Sequence, residues 1–84
     1  MKQQVPTKLT TREQIMRSRY FALGVDDLRT GRGYPAAYLM WKPNDQWSYE
    51  RGRAWAVLAP RSVQLKRNGK LNPAAVALYN WDII

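Results

Sequence analysis

Prolines at positions 6, 35, 43, 60 and 73 set where helices in this chain can run. Proline fixes φ, lacks an amide donor and pushes the preceding residue out of helical geometry, so a helix accepts one only in its first turn. Two intervals are left for substantial helices, 10–30 and 44–59, with a short apolar run between them and a mixed stretch after Pro60. At 84 residues the chain holds one domain with a thin core.

The first interval opens with two overlapping capping signatures, Thr10 with Glu13 and Thr11 with Gln14, and is predicted as one helix to about Thr30. Gly31 then offers the positive φ that ends helices. Phe21, Val25 and Leu28 form one apolar stripe, and Met16, Tyr20 and Leu23 a second, which widens the buried face or meets a partner. Asn44 or Asp45 is expected to cap the second helix, which runs through Ala59 with Trp47, Arg51, Ala54, Trp55 and Leu58 on one face. Each helix carries an interior glycine, Gly24 and Gly52. Glycine costs a helix about 1 kcal/mol relative to alanine, and its natural use there is to let another backbone approach. Tyr34–Trp41 is either one helical turn or an extended connector.

Beyond Pro60 the alternation Ser62-Val63-Gln64-Leu65-Lys66 leads to Asn68-Gly69, the strongest short hairpin signal. Asn72-Pro73 reads as an N-cap and a first helical residue, opening a short apolar helix toward Trp81, Ile83 and Ile84. The expected fold is mainly α: a two-helix hairpin with a long connector, a short basic β-hairpin and a short C-terminal helix. Residues 1–9, polar and containing Pro6, are expected to form a flexible N-terminal arm, and residues 10–84 the single small domain.

Cysteine and histidine are both absent, which removes disulfides, thiol chemistry, and the commonest metal ligand and general base. The six acidic residues are scattered, and Asp26 and Asp27, adjacent on a helix, point roughly 100° apart and cannot share a proton. Glu50 beside Arg51 reads as part of a solvated ion-pair pattern. Gly31-Arg32-Gly33 follows a helix instead of preceding one, so it cannot cradle phosphate on helix-start amides. A non-enzymatic protein without catalytic residues, metal or cofactor is expected. No segment has the length and apolarity of a membrane span, and the first residues lead into no signal-peptide core, so a cytoplasmic protein is the expectation.

The formal charge is +8. In cytoplasm the abundant polyanions are RNA and DNA, and arginine's planar fork suits phosphate. The candidate nucleic-acid contacts are Arg17, Arg19, Arg29 and Arg32 on the first helix and its exit, Arg51 and Arg53 on the second, and Arg61, Lys66, Arg67 and Lys70 around the hairpin, where no acidic residue occurs between Arg61 and Trp81. Four Trp and five Tyr also supply interface anchors, with Tyr20, Tyr34, Trp41 and Trp47 as candidates for a protein contact or a homodimer.

Arg19-Tyr20-Phe21-Ala22-Leu23-Gly24 opens a block continued by Gly31-Arg32 and Tyr34-Pro35 and closed by Gln46-Trp47, Gly52-Arg53 and Ala54-Trp55-Ala56. Over residues 17–59 this order resembles the ribosome modulation factor family, small basic bacterial proteins with relatives in phages and prophages. The resemblance implies two helices joined by a linker, contact with structured RNA on the ribosome, and modulation of translation. It implies roles for Arg19, Tyr20, Gly24, Arg32, Tyr34, Gln46, Trp47, Gly52 and Arg53. A phage-encoded module that binds and redirects a host protein is the alternative expectation.

Overall fold

The computed structural model describes residues 11–79. The expected arm 1–9, the Thr10 cap and the terminal Trp81, Ile83 and Ile84 lie outside the described residues. Four α-helices and one two-stranded ribbon follow in chain order: α1 Arg12–Arg17, α2 Arg19–Arg29, a 3₁₀ turn Ala36–Met40, α3 Pro43–Leu58, β1 Lys66–Arg67, β2 Lys70–Leu71 and α4 Pro73–Ala77. The mainly α architecture with a small hairpin is the one expected.

The first predicted helix is two. Thr11 caps α1 through a reciprocal box, its Oγ1 accepting from the Gln14 amide at 3.2 Å and its own amide donating to Gln14 Oε1 at 2.9 Å. Ser18 then leaves helical geometry (φ −59°, ψ 137°) and its hydroxyl accepts from the Tyr20 amide, so one residue closes α1 and caps α2. A serine hydroxyl offers the backbone a local partner in place of the helical ladder, which is why the break falls there. Ile15 and Met16 of α1 thereby reach the same core as Phe21 and Val25 of α2. Gly31, at φ 77°, ends α2 as expected.

The two long helices meet at their glycines. A Cβ on Gly24 would lie 2.2 Å from the Tyr49 carbonyl oxygen, and one on Gly52 would lie 2.1 Å from the Phe21 carbonyl oxygen. Each helix therefore presses its backbone into the gap left by the other's missing side chain. α3 starts two or three residues earlier than expected: the N-cap is Lys42, without a side-chain bond, instead of Asn44 or Asp45, and Pro43 occupies N1, where its missing amide costs nothing. Trp47, Tyr49, Gly52, Trp55 and Ala56 are all buried, so α3 is covered on more than one face, whereas Leu58, expected on the buried face, turns half its surface to solvent.

The hairpin has the predicted turn. Asn68 and Gly69 take φ 55° and 75°, as a two-residue I′ loop demands, and pair Lys66 with Leu71 and Arg67 with Lys70. Asn72 caps α4 through the Ala74 amide and also donates its Nδ2 to the Gln64 carbonyl at 2.8 Å, tying the ribbon's two ends together. α4 is held to α3 by Trp55, whose indole Nε1 donates to the Ala75 carbonyl at 3.1 Å. Tyr79 packs on Phe21 with ring centroids 6.2 Å apart.

Candidate nucleic-acid interface

The ten basic residues singled out in the sequence separate into two groups. Arg29, at the end of α2, donates to the Val63 carbonyl at 2.8 Å and the Pro60 carbonyl at 3.0 Å, and its guanidinium lies 5.0 Å from the Trp55 ring centre. Burial, and then the neighbouring Arg61 charge, lower its pKa. Arg61 in turn donates to the Arg29 carbonyl. These two arginines fasten the 60–63 loop to α2.

Arg32 and Arg53 belong to a second assembly, built around a buried carboxylate, in which the Arg32 side chain itself stays exposed. Asp27 is buried at 4% exposure, its Oδ2 accepting from the Tyr49 hydroxyl at 2.7 Å and its Oδ1 from Arg32 Nε at 3.1 Å. Arg32 also bridges to Asp26 at 2.6 Å. Its hydrogen bond to Asp27 is the main cause of its raised pKa. Burial, followed by the Asp27 carboxylate, raises the Tyr49 pKa. Arg53 donates to the Arg32 carbonyl and the Tyr49 hydroxyl, both at 3.0 Å, and covers the Tyr34 ring at 4.8 Å. Arg51 is half-buried with its guanidinium 5.5 Å from the centre of the Trp47 ring, and Arg19 lies over Tyr20 while donating to its hydroxyl.

Arg17, Lys66, Arg67 and Lys70 are exposed. Arg17 ends α1, and the fold sets that end against the ribbon, so that Arg17, Lys66, Gly69, Lys70 and Leu71 line one open depression of about 510 Å³. Arg67 lies on the adjoining side, lining a second depression of about 280 Å³ with Ser62, Gln64, Lys66 and Asn72. Lysine and arginine heads converge there from two elements far apart in sequence, and charge spacing along the chain does not foretell that Arg17 joins the hairpin.

The aromatic candidates gather elsewhere. Tyr20, Tyr34, Tyr38, Trp41 and Tyr49 form one pile, with Tyr20–Trp41 at 4.7 Å, Tyr34–Tyr38 at 4.9 Å and Trp41–Tyr49 at 5.3 Å between ring centres. The Tyr38 hydroxyl donates to Glu50, which is therefore engaged at the edge of the pile, where the sequence led to the expectation of a solvated ion-pair pattern. Burial, with the Glu50 carboxylate adding to it, pushes the Tyr38 pKa up to about 12. Tyr34 remains 53% exposed, whereas Trp47 is buried at 7% and lies in the core, off the surface expected of an interface anchor.

Tyr38 on the 3₁₀ turn and Trp41 at its C-cap, three residues apart, face inward, and Leu39 and Met40 between them are 82% and 86% exposed. Sequence reading passed over this pair. The signal available was geometric: a 3₁₀ turn brings i and i+3 into line, so Tyr38 and Trp41 together leave their neighbours outside.

Among the described residues no group of three or more Asp or Glu is placed to hold a metal ion, and no helix is long and apolar enough to cross a membrane. No protein-family model, curated protein or solved structure matches the chain.

Proposed function

We propose that the protein is a non-enzymatic nucleic-acid binder, directed at structured RNA such as that of the ribosome, and that it modulates translation by occupying its site. The observation that carries this reading is the convergence of Arg17 with Lys66 and Lys70 around one open depression, with Arg67 beside it. A ribbon tip bearing lysine and arginine can straddle a phosphate backbone while a helix-end arginine grips it from the side. The chain's +8 charge steers such an encounter, and the likeness of residues 17–59 to the ribosome modulation factor block supports the choice of ribosomal RNA.

The binding of a fluorescent ribosomal RNA hairpin, followed by anisotropy across a salt series, tests the reading. Each phosphate neutralised releases counterions, and log K falls linearly with log salt by roughly 0.7–0.9 per contact. Four engaged cations predict a slope near −3, reduced by about 1 for each of Arg17, Lys66, Arg67 and Lys70 replaced by Gln. An affinity indifferent to salt, or a slope unchanged in all four variants, removes this surface from consideration.

A further inference from the structure

The two depressions beside the hairpin share a wall and differ in chemistry. Lys66 lines both. The larger one adds Arg17 and Lys70 and suits phosphate. The smaller one, of about 280 Å³, is lined beyond Lys66 and Arg67 by neutral residues, among them Ser62, Gln64 and the apolar Val63 and Ala74. Such a volume lies near the lower end of small-ligand sites, roughly 300–1,000 Å³, and suits one planar ring system, not a run of chain.

The backbone around the smaller depression is committed internally. Arg29 donates to the Val63 carbonyl at 2.8 Å, Asn72 Nδ2 to the Gln64 carbonyl at 2.8 Å, and the Asn72 amide to the Leu65 carbonyl at 2.9 Å. Asn72 is itself buried and engaged, its Oδ1 accepting from the Ala74 amide. Ser62 and Gln64 are exposed, and neither side chain makes a hydrogen bond among the described residues. The loop is thus fixed in advance while two polar side chains stay open to a ligand, which lowers the ordering cost of binding.

A primary amide presents a donor and an acceptor side by side, the pattern that pairs with a base edge and tells one base from another. Residues 56–78 contain no aromatic ring, so this surface offers a base its edge contacts and not a stacking platform. Base edges in an RNA helix lie in a major groove too deep and narrow for side chains, so an edge read in a depression belongs to an unpaired base.

Resting on the RNA reading above, we infer that the smaller depression receives one unpaired base splayed from a bulge or loop. The adjoining phosphates lie against Arg17, Lys66 and Lys70. Gln64 reads the base edge, with Ser62 beside it, and is the residue that sets specificity.

Anisotropy titrations test this with a fully paired RNA stem and four versions carrying a single bulged A, C, G or U. The tightest bulged RNA should bind roughly tenfold or more better than the paired stem, and the four bulged bases should spread over roughly tenfold. In Gln64→Ala the spread should shrink to within about twofold while the salt slope stays unchanged, because no phosphate contact is lost. Lys70→Gln should do the opposite, weakening all five RNAs alike and reducing the slope by about 1. Gln64→Ala keeps the backbone carbonyl that Asn72 holds and should keep the thermal transition. Gln64→Met, of similar length and without the amide, repeats the test if alanine disturbs the loop. Discrimination retained in both Gln64 variants overturns the inference. Equal affinity for all five RNAs, or a paired stem bound as tightly as the best bulge, overturns it and leaves the RNA reading standing. Binding to none of the five removes both.

Discussion

Gly24 sits so close to Tyr49 that a Cβ on it would come within 2.2 Å of the Tyr49 carbonyl oxygen and 3.0 Å of the Arg53 nitrogen. Both are backbone atoms, which no rotamer change can move. Replacing Gly24 by Ala gains about 1 kcal/mol in helix propensity but forces the helices apart across a packed core, and overpacking costs about 1–3 kcal/mol and more where backbone must shift. A net loss of about 2 kcal/mol is expected for Gly24→Ala and again for Gly52→Ala, read as a shift in urea midpoint. Gly33→Ala is the control: nothing lies within 4 Å of its Cβ position, and it should be close to neutral. Equal effects at all three sites would contradict the close crossing.

Tyr49→Phe isolates the buried carboxylate. The hydroxyl donates to Asp27 Oδ2 inside the helix contact, and removing it strands one oxygen of a buried charge. The expected cost is about 2 kcal/mol, the penalty for an acceptor left without its partner. A double-mutant cycle with Asp27→Asn should show strong coupling, because the pair shares one interaction. Additive effects would mean that Asp27 is satisfied by other groups.

These two relationships were unequally legible in the sequence. Interior glycines in both helices announced a close crossing, because no other residue type gives two backbones that gap. Asn68-Gly69 and Asn72-Pro73 were legible for the same kind of reason, each requiring a backbone shape few residues accept. Ser18 was not, because the apolar spacing runs unbroken through it and a serine mid-helix is ordinary until its hydroxyl takes the Tyr20 amide. Tyr49 lay off the stripe assigned to the core. The roles of the arginines were the least legible. Periodicity counts charge on a face, but Arg29 is committed to carbonyls 31 and 34 residues away, a relationship that only the folded chain creates.

Alkaline pH should unfold the protein through its tyrosines. Burial and the Glu50 carboxylate push Tyr38, from an ordinary value of 10.0, to about 12, and burial does the same for Tyr79. A pKa raised on folding contributes stability that is complete below the unfolded value and lost as pH rises through the folded one. Stability is therefore expected to hold up to pH 10.0 and to fall between there and about 12. Urea midpoints measured across that window, with tyrosinate absorbance followed in parallel, check this. Tyr38→Phe should flatten the fall, and an unchanged slope would mean that Tyr38 is as exposed to titration when folded as when unfolded.

The division of the arginines predicts two phenotypes from one kind of substitution. Arg53 holds the Arg32 carbonyl and the Tyr49 hydroxyl, and Arg29 holds the Pro60 and Val63 carbonyls. Replacing Arg29 by Ala leaves two carbonyls without their charged donor and uncovers one side of Trp55, for an expected loss of about 2 kcal/mol. Arg53→Glu, which charge alone would nominate as a clean binding variant, should lower the melting temperature because it places a carboxylate beside the Asp27–Tyr49 pair. Lys66→Glu and Lys70→Glu alter exposed heads on the ribbon and should leave the melting temperature within a few degrees while RNA affinity falls at least tenfold. Thermal melts and anisotropy on the same four proteins decide the matter. If the Lys66 and Lys70 variants keep full RNA affinity while Arg29→Ala loses it at a temperature where the chain is folded, the binding surface lies along α2 and not on the hairpin.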